Sequence, residues 1–455
     1  MPEVEEYGVE PIPPELRTAG WRTLFAINFT FFLNPVMYVV GALAVVAGGL
    51  PLWWAVAAVV VGQALAYAIL VVAAQPGVDH GLPGQVAMRA TFGFWGARGL
   101  TSPYRMAAAI YWFAAQALTG ALGFQAIVQA ITGERLPLVP VALGLAVVQA
   151  AVAVLGFDVM RWLLRVVLPL SLGSAAVLIG LYLASDDPAF AVGRVFASPD
   201  QQFTWLGFAT FVTVMCGASL TLVTNVADFS RYAPTRRDVR VGLFASAVLS
   251  VAVTSFIGGY VASATGETNP FVAVAALTTS DLLLVLLLVA IVVQTFSANL
   301  TNVYTAGMSL VNAVPRLGRL PATIVAGAMA VVLSAFPAFI EEAQSWITHL
   351  GNVAAPLAGV VLADYVLVQR TRIDVPALFD GRGRYRYAWG VNLAAVAATV
   401  LGVGIFYAVP HELVKVVWGV SGAALIYLAL SSLQARFLAR DFGPRDLPST
   451  SLGEG

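Results

Sequence analysis

The sequence predicts an all-α polytopic membrane protein with twelve transmembrane helices. Three observations carry this expectation. First, 59% of the 455 residues are hydrophobic and only 11% are charged, with a mean hydropathy of +0.85; a soluble protein carries about 25% charged residues. Second, the apolar runs reach the roughly 20 residues that a helix needs to cross a ~30 Å hydrocarbon core. A transmembrane barrel would show ~10-residue alternating segments instead, and none is visible. Third, the basic residues segregate: with both termini inside, only Arg135, Arg194 and Lys415 of the 24 Lys and Arg fall in outer segments. The positive-inside rule then gives an even number of spans, cytoplasmic termini and a multi-pass plasma-membrane protein.

In chain order, an acidic, proline-rich cytoplasmic tail (1–20) leads into spans at about 21–48, 52–75, 101–131, 138–157, 161–184, 203–227, 238–263, 281–313, 321–339, 342–369, 386–408 and 411–438, and a tail at 439–455. The stretches 79–98 and 228–237 read as cytoplasmic surface segments. The charge-dense loop 370–386 leaves ten spans before it and two after. The ten divide into repeats of five, 21–185 and 203–370, and 386–438 adds the last pair. Span 1 carries Asn34-Pro35 at its middle, where proline removes a backbone donor and clashes with the preceding turn. Span 6 carries Cys216-Gly217-Ala218-Ser219, where glycine and small residues allow unwinding. Interrupted helices at corresponding places in two halves point to a transporter binding site. Five spans per half give the halves opposite topology.

Catalytic and metal chemistry find no support. There is one cysteine, Cys216, and the three histidines are scattered, so neither a disulfide nor a cysteine metal site is expected. No HExxH, GxSxG or P-loop occurs. The zero net charge gives no hint of a nucleic-acid partner. No cofactor is expected, and the chain reads as a non-enzyme in a lipid bilayer.

In a five-plus-five arrangement span 3 corresponds to span 8. Span 8 carries Ser297-Ala298-Asn299-Leu300-Thr301-Asn302-Val303-Tyr304-Thr305 at membrane depth, where an unpartnered amide costs roughly 2–7 kcal/mol. Span 3 carries Trp112 and Gln116, four apart and so on one face. A planar neutral heterocycle needs a flat surface to stack on and donor–acceptor pairs at its edge. Trp112 offers the first; Gln116, Asn299 and Asn302 offer the second. The same residues also serve as interhelical glue in membrane helices, and Thr301 and Thr305 read as bonding back to their own helix. Among the acidic groups, Asp158, Asp228 and Asp364 fall at cytoplasmic ends beside arginines, and Glu267, Asp281, Glu341 and Glu342 near the outer face. Intramembrane charges mark ion and proton paths; their scarcity points to an uncharged solute. A coupling cation such as Na+ would then rest on neutral oxygens: the backbone around Phe32, Leu33, Pro35 and Val36, with Gln294 and Ser297 from span 8; H+ would want a titratable group instead, and no obvious one is present.

Three motifs carry a family resemblance: Tyr7-Gly8-Val9-Glu10-Pro11-Ile12-Pro13-Pro14-Glu15-Leu16-Arg17-Thr18, Asn225-Val226-Ala227-Asp228-Phe229-Ser230-Arg231-Tyr232-Ala233-Pro234-Thr235, and the span 8 run Asn299–Thr305. Together they resemble the nucleobase:cation symporter-1 family, close to its purine and cytosine permeases. The resemblance implies the inverted-repeat fold of the leucine-transporter type plus two C-terminal helices, and alternating-access symport of a nucleobase-like ring with a cation. It implies that Trp112 stacks, that Gln116, Asn299 and Asn302 read the ring, and that Gly217 and Ser219 line the broken span 6. Ser219 stands where relatives often carry a second aromatic. Ser297-Ala298 stands where sodium-coupled relatives carry two hydroxyl residues. The expected substrate is cytosine, a purine or a related heterocycle. The alternatives are a hydantoin, allantoin, a vitamin pyrimidine or an amino acid, or a membrane-embedded enzyme or receptor.

Overall fold

The computed structural model of the chain describes residues 9–154, 157–381 and 383–442, and the side chains of all of these but 157–165 and 435–442. The expectations for 1–8, for the tail 443–455 and for the Asp158, Arg161, Arg165, Arg382, Arg436, Arg440 and Arg445 side chains lie outside the described residues. Among the described residues the structure is helical, with one isolated bridge between Ala388 and Val391. Seven helices among these residues are long and apolar enough to cross a membrane: Leu52–His80, Phe94–Thr132, Val166–Leu183, Arg236–Thr265, Asp281–Ala313, Ala343–Val368 and Lys415–Gln434. The bent pair Trp21–Phe32 and Pro35–Val46 passes the same test jointly. Four apolar helices are shorter: Leu138–Val154, Trp205–Leu220, Arg319–Leu333 and Leu393–Ala408.

The break in span 1 falls where the sequence places it. Its two halves meet at 60°. The Asn34 side chain stitches both ends of the break. Its Nδ2 donates to Phe31 O at 2.6 Å, and its Oδ1 accepts from Met37 N at 3.1 Å. Pro35 follows at the first helical position, where a missing N–H costs nothing.

Span 6 departs from expectation. Its helix runs unbroken from Trp205 to Leu220, so Cys216–Ser219 is helical. The irregular stretch is 221–225, ahead of a short helix at Val226–Ser230. Gly217 explains the difference: a Cβ there would lie 2.9 Å from Gly351 Cα. The glycine serves close approach to span 10 and not unwinding. The chain leaves the helix where the Thr221 hydroxyl donates to Ala218 O at 2.6 Å and where Arg105 Nη1 donates to Thr221 O at 3.3 Å.

Helix packing follows a pattern. Span 1 packs on span 7 and span 6 on span 2; span 4 packs on span 8 and span 9 on span 3; span 3 packs on span 8 and span 4 on span 9. Exchanging each helix for its counterpart five places along maps this set onto itself. Span 12 covers spans 10 and 11.

One further expectation is corrected. The 79–98 stretch is no surface segment, because every residue of the helix Gly84–Phe92 is buried. Gly84 N donates to Asp228 Oδ1 at 2.7 Å, and Arg89 donates to Leu378 O at 3.2 Å. Asp364 accepts no hydrogen bond from an arginine, although Arg384 lies close enough to act on its charge. It is 1% exposed and accepts from Tyr427 at 2.6 Å, Thr91 at 2.7 Å and Gln369 at 2.9 Å. Three neutral donors compensate the buried carboxylate and clamp spans 10 and 12 to the helix Gly84–Phe92.

Candidate functional site

One buried cavity, about 30 Å³, draws its walls from the four spans that the sequence singles out. Phe31, Phe32, Asn34 and Met37 come from the break in span 1. Trp112 and Gln116 come from span 3, Ala218, Ser219, Thr221 and Leu222 from span 6, and Asn302 from span 8. Pockets that enclose a small molecule hold roughly 300–1,000 Å³, so a ring enters only as these walls part. The two irregular joints, at 33–34 and 221–225, stand in those walls.

Trp112 is 8% exposed, and its ring is held in place. Its Nε1–H donates to Thr221 Oγ1 at 3.3 Å, and Tyr111 packs edge-on with ring centroids 5.4 Å apart. The indole is thereby tied to the irregular stretch of span 6. Gln116 Oε1 and Asn302 Oδ1 are buried without a hydrogen-bond partner. Such atoms are costly unless something else pairs with them, and here both residues line one cavity.

Three sequence-predicted residues lie elsewhere or are occupied. Asn299 does not line the cavity: its Nδ2 donates to Phe113 O at 3.2 Å and to Gln149 Oε1 at 2.6 Å. Gly217 faces Gly351. Ser219 lines the cavity, but its hydroxyl donates to Gln63 Oε1, leaving Gln63 Nε2 buried without a partner. Thr301 and Thr305 bond back to Ser297 O and Asn302 O, as expected. Sequence reasoning missed Gln63, Gln149 and Thr221. Gln63 and Gln149 are buried amides in spans 2 and 4, and amides at membrane depth are a legible signal in any span.

The residues expected around a cation are also definable. Gln294 Nε2 donates to Ser174 Oγ at 2.7 Å, and Ser174 donates to Ser171 O at 2.9 Å. Gln294 Oε1 and Ser297 Oγ, one turn along, are buried without partners. Span 8 packs on both halves of span 1. Neutral oxygens of this kind suit a hard cation.

From Trp112, rings follow one another through Tyr111, Phe339 (6.2 Å) and Trp346 (5.0 Å). Beyond them lies an open cavity of about 490 Å³, lined by Leu43, Glu341, Glu342 and His349 among others. Arg105 is fully buried and bridges span 6 to Thr305 Oγ1 of span 8 at 3.0 Å. Arg105→Leu is expected to lower thermal stability by about 1.5–3 kcal/mol, since it leaves Thr221 O without this charged donor; differential scanning fluorimetry of the purified protein reads it.

A bent first span, an interrupted sixth and a neutral polar cavity between them define a membrane carrier for a small solute. The sequence profile of permeases for cytosine/purines, uracil, thiamine and allantoin matches residues 11–429; the chain belongs to this family. It is 25% identical to the hydantoin permease of Microbacterium maritypicum over 433 residues, covering 90% of this chain and 86% of the relative. It is 25% identical to the allantoin permease of Bacillus subtilis (strain 168) over 464 residues, with 92% and 91% covered. Its fold matches that of Mhp1, a nucleobase-cation-symport-1 family transporter, in a closed conformation with bromovinylhydantoin bound. The TM-score is 0.78 at 21% identity, with 97% of both chains covered.

Proposed function

We propose that this permease imports a planar, uncharged nucleobase or hydantoin-like ring together with a cation, by alternating access. All twelve helices would cross the plasma membrane with both termini cytoplasmic, as two inverted five-span repeats and an added pair. The exchange symmetry of the packing supports the repeats. One observation carries the substrate class: a pinned indole and two partnerless amide oxygens line the same uncharged cavity. Trp112 would take the ring face, and Gln116 and Asn302 its edge. An amino acid is less well served. Its carboxylate would need the N-terminus of the second half of span 1, where Asn34 already caps Met37 N.

Uptake of radiolabelled cytosine, uracil, hypoxanthine, hydantoin and allantoin into transport-deficient cells tests this reading. Gln116→Ala and Asn302→Ala are each expected to weaken apparent affinity by about tenfold, the worth of one buried hydrogen bond. Wild-type affinity in both variants would remove the assigned site.

Sodium is the coupling ion we favour, held by Gln294, Ser297 and backbone oxygens at the break in span 1. Ser297→Ala is expected to raise the sodium concentration for half-maximal uptake by about tenfold. A steep pH dependence of wild-type uptake with no response to sodium would replace sodium by a proton.

A further inference from the structure

Granting the reading above, on which this inference rests, we infer that Asn299 and Gln149 are positioning residues. They lock the Asn302 amide with its oxygen toward the cavity, so the transported ring must present an N–H there. A side-chain amide has two faces of opposite hydrogen-bonding sense, and its orientation follows from its neighbours. Here the network is satisfied in one sense, anchored at the Phe113 carbonyl, which only accepts. The Thr295 hydroxyl donates to Val292 O at 2.7 Å, so toward Gln149 it accepts. Gln149 Nε2 donates to it at 3.1 Å, which turns Gln149 Oε1 to Asn299. Asn299 Nδ2 donates to that oxygen at 2.6 Å and to Phe113 O at 3.2 Å; both partners accept only. Asn299 Oδ1 then faces Asn302 and accepts from its Nδ2 at 3.4 Å. What remains is Asn302 Oδ1, buried and without a partner, on a residue that lines the cavity.

Both ends of this chain rest on helical carbonyls. Turning over Asn299 or Asn302 alone would set oxygen against oxygen or N–H against N–H in a buried place. Gln149 is 0% exposed, Asn299 0% and Asn302 1%, so water does not rescue a reversed amide. Gln116 differs: no hydrogen bond to the protein fixes its amide, and its Oε1 is partnerless. The site therefore holds one fixed acceptor and one adaptable group. Rings with a donor opposite Asn302 bind. Isosteres with a ring oxygen there meet a lone pair and are rejected.

The test uses the purified full-length protein in detergent. Dissociation constants are measured for cytosine, uracil, hypoxanthine and hydantoin. Isosteres of the ring that binds tightest follow, each ring N–H being replaced in turn by oxygen without added bulk. In the wild type one isostere is expected to bind at least about tenfold more weakly than its parent. Asn299→Leu, which frees the Asn302 amide, is expected to reduce that penalty to within about threefold. Gln149→Leu reduces it in part, and supplies the measurement should Asn299→Leu fail to fold. Thr295→Ser keeps the hydroxyl and preserves the full penalty. A merely structural role would shift melting temperature and affinity for parent and isostere alike, leaving their ratio unchanged. An undiminished ratio in Asn299→Leu and Gln149→Leu overturns the inference, as does a tightly bound ring whose isosteres all bind equally well. Binding of none of the four rings, together with no uptake of allantoin, overturns the functional reading itself, and the inference with it.

Discussion

Trp112→Ala is expected to weaken ring binding by about ten- to a hundredfold, the worth of one aromatic stacking surface removed by alanine substitution. The ring is the one large flat surface that span 3 offers the cavity, and it is pre-set: Thr221 holds its N–H and Tyr111 its edge. A pre-positioned surface gives up little side-chain freedom on binding. Trp112→Phe retains a flat face but loses the bond to Thr221, so a loss of only a few-fold is expected from it. Dissociation constants for the three proteins check this, alongside their melting temperatures. A folded Trp112→Ala protein with wild-type affinity would show that the ring is bound elsewhere.

Gly258→Val is expected to eliminate folded protein. A Cβ at Gly258 would lie 1.9 Å from Tyr38 O, and one at Gly41 would lie 2.3 Å from Ser255 Cα. The second half of span 1 thus lies backbone against backbone on span 7. Small residues let membrane helices approach this closely, and added side-chain volume in a packed interior costs 1–3 kcal/mol or more. A rigid main-chain oxygen is the obstacle here, and it cannot turn aside as a side chain would. Fluorescence-detected size-exclusion chromatography should show aggregate and no monodisperse peak. Gly144→Ala in span 4 meets nothing within 4 Å, and as a helix-interior change it should be neutral or slightly stabilising, by up to about 1 kcal/mol. A monodisperse Gly258→Val protein with wild-type stability would contradict this contact.

Particular residues show where sequence reasoning reached its limit. Asn34-Pro35 was legible because proline acts through its own covalent structure, wherever it is packed. Gly217 was not, because the same missing Cβ serves unwinding or close approach, and only Gly351 opposite it decides between them. Trp112 and Gln116 were legible as one helix face, and they do line one cavity. Asn299 and Asn302 also share a face, yet the first bonds to span 4 and the second turns to the cavity. Asp364 lies among arginines in sequence, but two of its three hydrogen-bond partners arrive from 63 and 273 residues away.

By itself, the sequence determined that the chain is helical, sits in a membrane, breaks at span 1 and is suited to an uncharged solute. Each of these follows from local chemistry: hydropathy over a span, a proline, and the absence of charge. The tertiary structure decided which amides are free and which are spent on neighbours, and where span 6 stops being helical. It also decided the hydrogen-bonding sense of Asn302. Those properties belong to pairs of groups from different helices, as in the bonds that join Gln149 to Thr295 and Asn299, and no single segment carries them.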